Sequence, residues 1–108
     1  MIYTVNLSEQ ADKDLRRIFE YIAFELCSVD NAKKQLNHLE EKILSLNTIP
    51  ERYQKYKKDP WKSRGLRVLP VDNYVILYIT NNDKKIVTVL RIMYSKRNID
   101  KQLSMYTK

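Results

Sequence analysis

The 108-residue chain contains one glycine, Gly65, so a glycine-rich loop that cradles phosphates is excluded. Its one cysteine, Cys27, can form neither an internal disulfide nor a cysteine-rich zinc site, and nothing points to an oxidising compartment. At a helix end Cys27 reads as a small buried residue without a histidine partner for catalysis. The one histidine, His38, falls mid-helix between Leu36 and Leu39, where a flank or surface role is expected rather than a His-based nucleophile or metal site. The longest unbroken apolar run, Tyr74 to Ile79, is far short of the ~20 residues that cross a bilayer. The opening Met1-Ile2-Tyr3-Thr4-Val5 lacks the basic and apolar regions of a secretory signal. A cytoplasmic protein without membrane association, metal or cofactor is expected. At this length it should form one domain, spanning 1–108, around one core.

What the chain has in excess is positive charge. Lys+Arg number 20 against 13 Asp+Glu, a net charge of +7. Residues 1–50 carry six basic and eight acidic side chains, a net of −2, whereas residues 51–108 carry fourteen and five, a net of +9. Within that second half, Arg52, Lys55, Lys57, Lys58, Lys62, Arg64 and Arg67 face only Glu51 and Asp59 between residues 51 and 67. A field this one-sided attracts a polyanion: nucleic acid, an acidic peptide or an anionic surface.

The periodicities define the elements. Residues 2–7 alternate and are rich in β-branched and aromatic types, so they read as a strand. Ser8 can cap a helix in which Leu15, Ile18, Phe19, Ile22, Ala23 and Leu26 form one apolar stripe. A break at 27–30, with Ser28 or Asp30 as the next cap, leads to a second stripe of Ala32, Leu36, Leu39, Ile43 and Leu46. Two amphipathic helices joined by so short a link should pack as an antiparallel hairpin. Residues 50–62 are polar, basic and bounded by prolines, and read as a connecting loop. Three β-like runs follow, 66–71, 74–80 and 85–93, separated by the turn formers Asp72-Asn73 and Asn81-Asn82-Asp83-Lys84. Short turns make these an antiparallel meander. Residues 95–108 read as a short C-terminal helix or tail. The expected fold class is α+β, in the order β-α-α-β-β-β, with the helix hairpin covering one face of the sheet.

Candidate chemistry is cationic and phenolic. The pairs Glu40-Glu41 and Asp12/Asp14 read as solvated charge on helix surfaces. An unpaired arginine inside the last strand would be costly to bury, so Arg91 is expected to line an open, concave face. Arg64, Arg67, Arg91, Lys96 and Arg97 fall on or beside the last three strands, with Tyr94 at the end of the third. Tyr53, Tyr56 and Trp61 interleave with Lys55, Lys57, Lys58 and Lys62, a mixture that suits phosphate contact and base stacking, or else packing of the loop against the core. Arginine can stabilise charge on a phosphorane, while a tyrosine or lysine with a shifted pKa transfers protons, so a histidine-free ribonuclease is chemically feasible.

The chain resembles the RelE/ParE superfamily, toxins of bacterial type II toxin–antitoxin pairs, over nearly its whole length. The resemblance rests on Ala11-Asp12-Lys13-Asp14-Leu15-Arg16-Arg17-Ile18-Phe19-Glu20-Tyr21-Ile22, on Pro50, on Gly65-Leu66-Arg67-Val68-Leu69-Pro70-Val71-Asp72-Asn73-Tyr74-Val75-Ile76-Leu77-Tyr78, and on Val89-Leu90-Arg91-Ile92-Met93-Tyr94-Ser95-Lys96-Arg97-Asn98. It implies a microbial-RNase-like sheet with a helix hairpin on one face. It also implies a cognate antitoxin partner in a hetero-oligomer, and one of two targets. The RelE branch cleaves mRNA on the ribosome with basic residues on the sheet and a C-terminal tyrosine, whereas the ParE branch poisons DNA gyrase. By position, Arg67 and Arg97 correspond to the basic residues of the nuclease branch, with Tyr94 or Lys96 as proton-handling groups. Arg64, Arg91, Lys55, Lys57, Lys58 and Lys62 would contact nucleic acid or ribosome. That branch usually carries an arginine after the strand-opening tyrosine, where this chain has Tyr74-Val75, and Leu103 lies nearest the C-terminal tyrosine position, between Tyr94 and Tyr106. The long helices resemble the ParE branch, to which the reading leans. A basic nucleic-acid-binding module without toxicity is the remaining alternative.

Overall fold

The computed structural model describes residues 2–96 and Ile99; the expected C-terminal helix or tail lies outside the described residues, apart from Ile99. Strand β1 (Thr4–Leu7) leads into α1 (Glu9–Glu20), which continues as a π-helical turn (Tyr21–Glu25), and then into α2 (Val29–Leu44). Two short 3₁₀ turns, Ser45–Asn47 and Pro50–Arg52, and a long loop precede β2 (Arg67–Val71), β3 (Tyr74–Asn81) and β4 (Ile86–Tyr94). The expected order and the α+β class hold. The sheet order is β1-β4-β3-β2, with β1 parallel to β4 and the other pairs antiparallel.

Ser8 caps α1 as its sequence position indicates. Its Oγ accepts the Ala11 N–H (3.0 Å) and donates to the Leu90 carbonyl (2.9 Å), so one side chain ties the helix start to β4. At the other end the wider π-helical turn shifts the phase of the apolar stripe. Ala23 stays buried, but Leu26, expected on the stripe, is exposed, as are its neighbours Tyr21 and Phe24. The stripe therefore ends a turn earlier than spacing alone implies. Cys27, expected to be buried, is exposed with a left-handed backbone (φ 53°).

The helix hairpin covers one face of the sheet. Ala11, Leu15, Leu39, Ile43 and Leu46 meet Leu69, Val71, Ile76, Tyr78, Val87, Val89 and Ile92 in the main core. Tyr78 is wholly buried there, and its hydroxyl donates to the Pro50 carbonyl (2.5 Å). Burial pushes the Tyr78 phenol up to about 12, so it remains a hydrogen-bond donor at every physiological pH.

The opposite face is not open. Tyr56, Trp61 and Leu66 from the loop cover Val75, Leu77, Leu90 and Met93, giving a second core where one was expected. The backbone holds the loop in place: Tyr56 N–H donates to the Leu66 carbonyl (2.7 Å), Val68 N–H to Gln54 (2.9 Å) and Leu66 N–H to Trp61 (3.0 Å). Of the two readings open for Tyr56 and Trp61, packing prevails over base stacking. Burying two large aromatics outweighs leaving them in water on a bare sheet.

Candidate functional site

The fold distributes the site residues over four places, with Lys55 of the loop bridged to Arg67 at the start of β2. Arg91 does not line an open face. It is buried, 7% exposed, against Asp14 of α1, itself 5% exposed rather than solvated. The Arg91 Nε donates to Asp14 Oδ2 (2.8 Å) and its Nη2 to Oδ1 (3.2 Å), a bidentate pair. The same carboxylate accepts the Ile92 N–H (3.0 Å) and a bond from Gln10 Nε2 (3.3 Å). The physical reason lies in a register shift: Leu77 pairs with Arg91 and Tyr78 with Val89, so Leu90 has no partner on β3. Beyond the short β1, the Ser8 hydroxyl and the Asp14 carboxylate meet the Leu90 carbonyl and the Ile92 N–H. Arg91 is thus the buried partner of a charge that closes the sheet against α1.

Arg67 is half-buried at the start of β2. Its Nη1 donates to the carbonyls of Tyr53 (2.7 Å) and Glu51 (3.0 Å), and its Nη2 lies 3.5 Å from the Glu51 carboxylate. Its guanidinium thereby fastens the 51–53 turn to the sheet. The neighbouring Arg52 lies over the Tyr53 ring at 4.9 Å.

Tyr94 and Lys96 stand at the other end of the strands. Along β3, Arg67 faces Tyr78 and Tyr94 faces Tyr74, four residues further along, so they are separated by about 13 Å of strand. The Ser95 N–H donates to the Asn73 carbonyl (2.8 Å), which keeps exposed Lys96 beside the β2–β3 turn. Tyr94 packs edge-on against Tyr74 with ring centroids 6.1 Å apart. Burial, then the nearby phenols of Tyr94 and Tyr21, raise the Tyr74 pKa above the usual tyrosine value. The grouping of Tyr21, Tyr74 and Tyr94 was not legible in the sequence, because three separate elements bring these phenols together. Arg97 lies outside the described residues.

Lys55, Lys57, Lys58, Lys62 and Arg64 all lie exposed on the loop that forms the second core. Arg64 lies over the Trp61 ring at 5.1 Å. The single acid among them, Asp59, accepts from the Ser63 N–H (3.0 Å) and hydroxyl (2.5 Å). Those two bonds, with the charge of Lys62 adding to them, lower the Asp59 pKa below its usual value. A further cluster, absent from the sequence reading as a unit, links α2 to the β2–β3 turn. Asp72 accepts from Gln35 Nε2 (3.0 Å) and contacts His38 Nδ1 (2.6 Å), which accounts for the surface position of His38. Both contacts, that of Gln35 first, lower the Asp72 pKa.

Among the described residues no group of three or more His, Cys, Asp or Glu could hold a metal ion, and no helix is long and apolar enough to cross a membrane. A cleft of about 570 Å³ runs between α1 and α2, lined by Leu15, Phe19 and Leu36 with Asp12, Arg16, Glu20 and Glu40 around them.

A four-stranded sheet with a helix hairpin laid on one face is the architecture shared by the RelE and ParE toxins. The chain is similar to the chromosomal ParDE toxin–antitoxin system of Pseudomonas aeruginosa (TM-score 0.74, 17% identity, 88% of this chain and 98% of that one). It is also similar to the RelBE2 toxin–antitoxin complex of Mycobacterium tuberculosis (TM-score 0.67, 19% identity, 87% and 92%). A substituted Escherichia coli RelE toxin in the free state matches as well (TM-score 0.66, 16% identity, 94% and 93%). No curated protein sequence matches the chain. The model of the ParE toxin family of type II toxin–antitoxin systems, parDE, matches residues 5–99, and the protein belongs to that family.

Proposed function

We propose that this toxin is held inactive by a cognate antitoxin and arrests growth by binding DNA gyrase, not by cleaving mRNA. The observation that carries the reading is the fate of the strand cations. The four strands carry two, Arg67 and Arg91. The first is bonded to loop carbonyls and the second to Asp14. A group that stabilises a phosphorane must present its donors to the substrate, and these two spend them on the fold. Val75, at the position where the nuclease branch usually has an arginine, is buried in the second core. Among the described residues, exposed Tyr94 and Lys96 at the end of β4 favour an mRNA endoribonuclease instead.

The antitoxin has an apolar footing on the hairpin. Tyr21, Phe24, Leu26, Val29 and Leu44 are exposed there, beside the cleft lined by Leu15, Phe19 and Leu36. A segment that folds as it binds needs apolar anchors of this kind to offset its ordering entropy. In a supercoiling assay with purified gyrase, the toxin should halt supercoiling, and pre-incubation with the antitoxin encoded beside it should restore the activity. Undiminished supercoiling at a large molar excess of folded toxin would rule the reading out.

A further inference from the structure

We propose that the 55–64 loop is a docking site for the phosphate backbone of duplex DNA. The proposal rests on the gyrase reading for the choice of DNA, since duplex DNA is what gyrase holds, but the surface itself is argued independently.

Charge is the first consideration. Lys55, Lys57, Lys58, Lys62 and Arg64 oppose only Asp59, a net of 5 − 1 = +4 within ten residues. The Asp59 carboxylate is engaged by both Ser63 donors, and of the loop cations it acts on Lys62. Lys55, Lys57, Lys62 and Arg64 are exposed to solvent, unlike Arg67 and Arg91.

Rigidity is the second. The buried side chains of Tyr56 and Trp61 root the loop in the second core. Lys55 is bridged to Arg67 in antiparallel fashion, and the Lys62, Arg64 and Gly65 N–H groups donate within the loop. Cations on a fixed frame lose less freedom on binding than cations on a tail.

The side-chain types select the ligand. Binding of a single strand relies on exposed aromatic rings on which bases stack. Here Tyr56 and Trp61 are 7% and 9% exposed, so the loop offers charge with little stacking surface. An acidic peptide that folds on binding needs apolar anchors, and the large exposed apolar side chains of the described residues all lie outside the loop. Charge without stacking or apolar contact fits a continuous double-stranded backbone, bound without regard to sequence.

The experiment is fluorescence anisotropy of a labelled mixed-sequence DNA duplex titrated with the intact toxin over a range of salt. The test variant is Lys55→Gln/Lys57→Gln/Lys62→Gln, with Arg64 left to cover Trp61. The control, Lys33→Gln/Lys34→Gln, removes two exposed charges from α2. Thermal melts establish that each variant is folded. The loop variant should bind at least tenfold more weakly at low salt, with the salt slope reduced by about 2–3, while the control changes the slope little. Equal affinity of loop variant and wild type, or an equal loss in the control, overturns the proposal. So does displacement of the duplex by polyglutamate or single-stranded RNA at a lower concentration than by unlabelled duplex. Gyrase supercoiling is measured on the same proteins. Loop-dependent duplex binding by a toxin that leaves gyrase untouched sinks the gyrase reading and leaves the docking site standing. Gyrase inhibition with duplex affinity indifferent to the loop sinks the docking site alone.

Discussion

Arg67 and Arg91 on the strands carry the same charge as Lys55, Lys57, Lys62 and Arg64 on the loop that covers one face of the sheet, yet their surroundings differ. Arg91 is bidentate to a buried carboxylate, and Arg67 is fastened to two carbonyls. The loop cations are exposed on a frame whose aromatics point inward. Similar residues therefore do different work. A cation inside a low-dielectric sheet must be neutralised to be tolerated, and once neutralised it has little charge to offer a substrate. A cation on an exposed loop keeps its field but contributes little to stability. In this fold the cations engaged by the protein itself sit on the strands and the exposed ones on the loop, and no open sheet face lies between them.

The comparison breaks most sharply at Asp14. Asp14→Ala leaves the Arg91 guanidinium buried and unpaired and strips the Ile92 N–H of its acceptor. The expected loss is about 3–5 kcal/mol, read from urea denaturation midpoints. Arg91→Met added to Asp14→Ala should recover much of that loss, since the buried charge goes with its partner. A double variant no more stable than Asp14→Ala would show that Arg91 is not held as described.

Arg67→Ala comes next. Three contacts to Glu51 and Tyr53 are lost and two carbonyls need new donors, for an expected cost of about 1–3 kcal/mol. Growth arrest per folded molecule should remain, since the role is structural. Complete loss of toxicity from a protein that is folded at the assay temperature would place Arg67 in the functional surface instead.

The smallest effect concerns Asp72. Its pKa is lowered by Gln35 and His38, so the stabilisation it provides is present above its unfolded pKa and fades as pH falls through its folded one. Asp72→Asn should lower stability at pH 7 by at most about 0.5 kcal/mol, because the group is solvent-screened. Below the usual carboxylate range the variant and wild type should converge. Melting curves at neutral and strongly acidic pH check this, and a gap that widens on acidification would contradict the sign.

Element order and most boundaries were legible because they depend on local periodicity: the Ser8 cap, the helix stripes and the turns at Asp72-Asn73 and Asn81–Lys84. The Asp14–Arg91 pair was less so, since its partners lie 77 positions apart in the chain. A signal existed nonetheless: Ala11, Asp14, Leu15 and Ile18 fall on one helical face, so Asp14 sits within a buried stripe and calls for a buried cation. Tyr56 and Trp61 were ambiguous for a physical reason. A ring that stacks on a base and a ring that covers a sheet are the same residue in the same basic context, and only the tertiary fold decides which way it turns. The exposure of Leu26 follows from one widened helical turn, for which side-chain spacing carries no mark. The loop cations were legible as a charge excess, but the bridge of Lys55 to Arg67 and the separation of Arg67 from Tyr94 depend on strand pairing.

The most direct test of the central claim, that the strand arginines serve the fold and the toxin acts by binding, is the integrity of end-labelled mRNA on translating ribosomes given purified toxin. At toxin concentrations that halt gyrase supercoiling the message should stay full length. Cleavage within codons, dependent on translation and abolished by Arg67→Ala in a folded protein, would contradict the account and make the sheet an active site.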